Sequence, residues 1–230
     1  MRKSRKLINQ IFNSKALFIF VLISLVAATV YLTVRLITKT ETRDDYPMSL
    51  IQSLLGIFLL FLPSIAARRF KATLSSWMLI VYVVFIYCAI YLGEVHNFYH
   101  RVPHWDTLLH FTSGILLGIL GYTLISFLNN SRDIPVALSP IFAALFIFSF
   151  SMALAVIWEI YEFSVDAIFG LNTQSWALED GTVLIGRAAL QDTMKDLIAA
   201  TIGSTIFSII GYFAIKRKSS WLKTLSLKRL

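Results

Sequence analysis

Cysteine is almost missing from this chain: Cys88 stands alone, inside an apolar run. A single thiol excludes an intramolecular disulfide and a thiolate metal cluster. Neither H-E-x-x-H nor C-x-x-C occurs, so no standard metal motif is present. Internal repeats and low-complexity tracts are absent too. Charge is scarce: Asp, Glu, Lys and Arg make up 15% of the residues, against about 25% in soluble domains.

What fills the chain instead is apolar sequence, 57% of the residues, with a mean hydropathy of +0.72. It falls in runs of about twenty residues, the length that crosses roughly 30 Å of hydrocarbon. The runs predict an all-α, polytopic membrane bundle forming a single integral membrane domain over 1–230, with six transmembrane helices. Their expected bounds are about 16–37, 48–67, 73–93, 107–128, 138–162 and 193–215, followed by a basic tail, 216–230. The first run is longer than the ~7–15-residue core of a cleaved signal and lacks an A-x-A site, so it reads as a retained anchor.

The net charge is +8, and the basic residues gather at the two ends and in short loops. That pattern fits anionic lipid headgroups and topology, not nucleic acid. Grouping the termini with the second and fourth loops collects 15 of the 21 Lys and Arg, among them Arg68, Arg69, Lys71, Arg132 and Lys216 to Lys218 through Arg217. The other side keeps Arg35, Lys39, Arg43, Arg101, Arg187 and Lys195. Both termini are therefore expected in the cytoplasm. Of the 13 acids only Asp133 falls on that side, and all four histidines lie between His96 and His110. The working side is expected to be the outer one. The tail KRKSSWLKTLSLKRL reads either as an amphipathic segment on the inner leaflet or as a plain stop-transfer tail.

Three spans carry polar sets toward their outer ends. HWDTLLHF places Asp106 and His110 at i,i+4 on span four; span five has Glu159, Glu162 and Asp166; span six has Asp192 and Asp196. Residues three or four apart share a helix face, so each helix can aim its set at one point. Carboxylates alone repel in a low-dielectric site and need a cation, a shared proton or a basic partner. Asp or Glu with His is a usual set for zinc or manganese. Asp106, His110, Glu159 and Asp196 are the candidate metal ligands, with Glu162 and Asp192 as candidate catalytic bases. Lys195 and Arg187 offer the alternative of neutralisation by ion pairs. Stripes of small residues (Gly114 and Gly118; Ala200, Ser204 and Ser208) continue the polar faces of spans four and six. Such stripes let helices approach closely in lipid.

Plainer roles exist for each group. Asp106 and Asp192 are candidate N-caps, and His110 a candidate buried histidine paired with a carboxylate. Glu162 is within reach of headgroups. His96, His100 and His104 read as loop residues, Glu41, Asp44 and Asp45 as a solvated loop, and Trp105, Trp158 and Trp176 as an interfacial belt.

W-D-T-L-L-H-F-x-x-G, W-E-I-Y-E-F, G-x-x-T-Q and Q-D-T-x-x-D-L together resemble the YjdF-like family of bacterial inner-membrane proteins, across roughly spans three to six. The resemblance implies a bacterial inner-membrane location and a shared motif set: Asp106, His110, Gly114, Glu159, Glu162, Thr173, Gln174, Asp192 and Asp196. Here SWALEDGTVLIGRAAL separates the T-Q element from the later acidic motif, unlike the family pattern. The order D-x-x-x-H-F, E-x-x-E, D-x-x-x-D is also similar to VanZ-like proteins, which are linked to the cell envelope. Three functions stay open: binding of a lipid or cell-envelope ligand (or a purely structural network), metal-dependent hydrolysis of a lipid-linked or cell-wall precursor, and proton-coupled transport.

Overall fold

The structure, a computed structural model, describes residues 2–38, 46–129, 138–178, 180–225 and 228–229. Lys39, Glu41, Arg43, Asp44, Asp45, Arg132 and Asp133, used in the charge argument, lie outside the described residues. The chain is all-α, and six of its helices are long and apolar enough to cross a membrane. It divides into two units, Met1–Trp105 with Leu225–Leu230, and Asp106–Thr224.

In the first unit, α1 (Arg2–Thr38) begins well before the expected start of its span, because the helix runs on through the basic stretch; its apolar part is Lys15–Thr38. α2 (Tyr46–Phe70) follows, then α3 (Ser76–Ile86), which passes into a π-helical stretch, Tyr87–Val95. Val21, Leu25, Leu60, Val83, Ile86 and Ile90 interlock as its core. A short α4 (Phe98–Arg101) completes the unit's helices. His96 and His104 flank it in loops, as expected, and His100 lies within it; all three are exposed, and His104 has a left-handed backbone (φ 61°).

The tail has structure of its own. It makes a short 3-10 turn (Ser220–Leu225) and then a two-residue strand, Lys228–Arg229. Lys228 and Arg229 pair antiparallel with Thr73 and Ala72. This pairing sets the tail beside the α2–α3 turn.

The second unit contains α5 (Trp105–Asn129, from its second residue), α6 (Pro140–Phe169) and α7 (Gln191–Lys216). Ser139 caps α6 by accepting from the Phe142 N–H at 3.3 Å, and Pro140 supplies a preset φ at the first turn. α6 was expected to end near 162. It continues two further turns, because Asp166 extends the inward face of Glu159 and Glu162 and is buried there. Gly170 then stops the helix in a left-handed C-cap (φ 66°). The loop to α7 is correspondingly shorter, 170–190.

Packing in this unit inverts the soluble pattern. Ile157, Ile160, Phe163, Ile198, Ile202 and Ile209 are exposed, while Ser151, Ser204, Ser208, Glu159, Asp166 and Asp196 are buried. Lipid-facing apolar surface and an inward polar stripe are what a hydrocarbon solvent selects. Ser151 Oγ donates to the Gly114 carbonyl at 2.9 Å, and Ser208 Oγ to the Ala144 carbonyl at 2.6 Å, tying α6 to α5 and α7. The glycines set the α5–α7 distance. A Cβ on Gly203 would collide with the Phe111 carbonyl oxygen, and one on Gly114 with the Ala200 carbonyl oxygen. The two backbones touch where the small-residue stripes predict.

Candidate functional site

α5 and α7 begin one residue before the aspartates expected to cap them. Asp106 is the second residue of α5, and Asp192 the second of α7, whose cap position is Leu190. Neither aspartate is an N-cap. Both stand in a first turn, where the helix dipole favours a carboxylate.

The close approach of α5 and α7 brings three of the predicted residues together. His110 Nε2 lies 3.4 Å from Asp106 Oδ1 and 4.0 Å from Asp196 Oδ2. One ligand atom from each of Asp106, His110 and Asp196 falls within 4.8 Å of the other two. Around a tetrahedral zinc, with bonds near 2.0–2.1 Å, neighbouring ligand atoms stand about 3.3–3.4 Å apart. The group is therefore close to the size of a cation site. Burial is graded: Asp196 is buried, the His110 side chain is 13% exposed and Asp106 32%. The group opens on the Asp106 side, at the start of α5.

Glu159, one helix away on α6, is 6% exposed, and neither carboxyl oxygen has a hydrogen-bond partner. It stays outside the set of converging ligand atoms, yet it lies within electrostatic reach of His110 and Asp106. A buried carboxyl without donors is costly unless something else engages it. Gln174 and Thr193 are its polar neighbours, but Gln174 Nε2 donates to the Thr193 hydroxyl at 2.9 Å and to the Glu159 main-chain carbonyl at 3.4 Å.

Glu162 and Asp192 border the same region. Glu162 Oε1 accepts from the Trp158 indole N–H at 2.9 Å, so Trp158, expected in an interfacial belt, has an internal partner. Asp192 is half-buried, with Asp106, His110 and Lys195 as its charged neighbours. Lys195 and Arg187 are exposed, and among the described residues neither forms an ion pair with the cluster.

Asp166 departs from the shared aim expected of span five. Its Oδ1 accepts from the Thr173 N–H and hydroxyl, both at 2.7 Å, and its Oδ2 from the Gln174 N–H at 3.0 Å. It anchors the loop to the end of α6. This is how Thr173 and Gln174 reach the site despite the long insertion after them: the insertion loops outward, and the T-Q element stays pinned. Thr193 escaped the sequence reading as a contributor, although its place between Asp192 and Asp196 in Q-D-T-x-x-D was visible. Asp166→Ala should release the pinned segment. A hydrogen bond to a charged group contributes about 1.5–3 kcal/mol, so amide exchange at Thr173 and Gln174 should accelerate roughly tenfold or more. Unchanged exchange by mass spectrometry would refute the anchoring role.

Comparison with known proteins places the chain. It is 30% identical over 125 residues to an uncharacterised protein of Thermotoga maritima, a match covering 53% of this chain and 54% of that relative. The chain thus aligns with about half the length of the curated relative it matches. No solved structure matches. The family model described as "Predicted membrane protein (DUF2238)" matches residues 16–217, which includes all six apolar helices and every residue of the cluster. The chain belongs to that family of multi-pass membrane proteins.

Proposed function

We propose that the second unit binds one divalent metal ion through Asp106, His110 and Asp196, and through it the polar head of a lipid or cell-envelope ligand. The observation that carries this reading is the convergence of one imidazole and two carboxylates within 4.8 Å. Two acids that close to a buried third, Glu159, call for a cation, a shared proton or a protonated His110 between them, and a metal ion is the occupant proposed here. A mixed N/O set suits zinc or manganese. The opening at the start of α5 lies at a helix end, so a ligand arrives from the membrane surface. We place the protein in the bacterial plasma membrane, as the YjdF-like resemblance implies, with both termini cytoplasmic and the cluster outward, as the distribution of Lys and Arg supports. A reporter fused at residue 175 should read outside and one at the C-terminus inside. The reverse pattern would overturn the orientation.

The metal is tested on the full-length protein in detergent micelles by calorimetric titration with zinc and with manganese. About one equivalent should bind, one site being all that the three residues form. No binding of either ion rejects the reading and leaves the cluster as a packing network.

One observation favours a second reading, metal-dependent hydrolysis of a lipid-linked or cell-wall precursor. Glu159 is buried within electrostatic reach of His110 and Asp106, where a carboxylate could act as a general base on a water whose pKa a bound metal would lower. Glu162 and Asp192 are the further candidate bases. Proton-coupled transport gains no comparable support: below the cluster the facing positions are Gly114, Gly118, Ala200, Ser204 and Ser208, which offer no titratable relay.

A further inference from the structure

α7 is 26 residues, roughly 39 Å, long, and the chain folds back where it ends. The Ser219 N–H donates to the Ala214 carbonyl at 2.9 Å, and the Lys218 N–H to the Ile215 carbonyl at 3.0 Å. These are the paired bonds of a Schellman cap, with Lys218 (φ 52°) in the left-handed position that glycine usually takes. The 3-10 turn, Ser220–Leu225, follows. Leu222 is buried in it, and Trp221 is left 40% exposed. A groove of about 340 Å³ forms there, lined mainly by Ile209, Ile210, Phe213, Arg217, Ser219 and Trp221.

The same place carries unneutralised charge. Lys216, Arg217 and Lys218 are exposed, and the sequence has no Asp or Glu beyond Asp196. Among the described residues no carboxylate pairs with these cations. The C-terminus of a helix supplies only about half a negative charge. The Arg217 guanidinium stands over the Phe213 ring, 5.7 Å from its centroid, so one cation is held against the apolar lining. Among the described residues the Ser219 hydroxyl and the Trp221 indole N–H have no hydrogen-bond partner. The groove thus has an apolar length along α7 and, at the helix end, free donors and positive charge without an acid.

We infer that this groove holds one anionic phospholipid. An acyl chain lies along Ile209, Ile210 and Phe213, and the phosphate meets Arg217, Ser219 and Trp221, with Lys216 and Lys218 adding charge. The occupant follows from complementarity. α7 is long and apolar enough to cross the membrane, so acyl chains surround its exposed isoleucines. Basic pockets at the ends of membrane helices recognise anionic headgroups, and an anionic lipid brings the net negative charge that this helix end lacks. A zwitterionic lipid would fill the apolar length and leave the cations uncompensated. The groove is at the opposite end of α7 from Asp196, and its lipid binds with or without a metal ion there.

Fluorescence quenching tests it on full-length protein reconstituted into phosphatidylcholine vesicles. A fraction of the lipid carries brominated acyl chains, either on phosphatidylglycerol or on phosphatidylcholine. The quenching lost in a Trp221→Phe variant is the share of Trp221. That share should reach half its maximum at a roughly tenfold lower fraction of brominated phosphatidylglycerol than of brominated phosphatidylcholine. One cation near an anionic surface contributes roughly fivefold, so Arg217→Gln should remove most of the preference and Arg217→Lys should keep it. Lys218→Gly suits the left-handed backbone; it removes a charge from a protein that still folds, and should also weaken the preference. Arg187→Gln with Lys195→Gln removes two charges near the start of α7 and should leave the preference unchanged. Equal half-points for the two lipids in the unaltered protein overturn the inference. So does an equal loss in the Arg187 and Lys195 control, which would make the preference one of bulk charge. Quenching of Trp221 by neither lipid overturns it by showing a protein cover. Displacement of the brominated lipid by inorganic phosphate, beyond that by sodium chloride of equal ionic strength, overturns it in favour of a site for free phosphate.

Discussion

His110→Ala should weaken zinc binding by at least about 100-fold, the upper end of what loss of even an outer-sphere partner of a metal site costs. His110 supplies the only nitrogen among the three converging ligand atoms, and it stands between the other two. Its loss leaves Asp106 and Asp196 as an all-oxygen pair. Oxygen sets favour harder ions, so manganese should be affected less than zinc, and His110→Asp should restore manganese in preference to zinc. Calorimetry with both ions and a thermal melt of each variant separate the possibilities. If His110 only packs α5 against its neighbours, the melt falls and zinc binding persists. If it is a ligand, zinc is lost from a protein that still melts cooperatively.

Gly203→Val should have the second large effect, on the fold of the second unit. A Cβ at this position meets the Phe111 carbonyl oxygen, with Phe111 C and Ile115 N within 3.3 Å. All three are backbone atoms of α5, which cannot swing aside as a side chain can. α5 and α7 must separate, and overpacking of this kind typically costs about 1–3 kcal/mol or more. The melting temperature in detergent should drop, or the folded peak should vanish from size-exclusion chromatography. Metal affinity should fall as well, because the same contact sets the distance from His110 to Asp196. Gly211→Ala is the matched control: its Cβ would meet only the Ile147 Cδ1 atom, at 3.3 Å, a flexible neighbour, and the change should be tolerated. Equal behaviour of the two variants would show that the close approach at Gly203 is not what holds the helices.

These outcomes bear on different levels of the molecule. The span pattern was visible in the sequence because hydrocarbon imposes a length and a composition on every crossing helix. All six runs were found, and most boundaries fell within a few residues of the helices observed. The misses have physical causes. α1 extends over a basic stretch that hydropathy does not register. α6 outruns its expected end because Asp166 is buried against its own loop, so a charge that reads as a stop is an internal partner. The tail pairs with the α2–α3 turn through backbone bonds that no side-chain pattern announces.

The site divides along the same line. Sequence alone determined which residues share a helix face, since Asp106 with His110, and Asp192 with Asp196, are one turn apart by covalent geometry. It also determined that α5 and α7 pack closely, through the small-residue stripes. Which acids meet was decided only by the tertiary structure. Contact at Gly203 and Gly114 brings His110 to Asp196, burial leaves Glu159 without donors, and hydrogen bonds turn Asp166 away to hold Thr173 and Gln174. Spacing along one helix follows from the chain itself; distance between helices depends on where two backbones can touch, and that is a property of the folded pair.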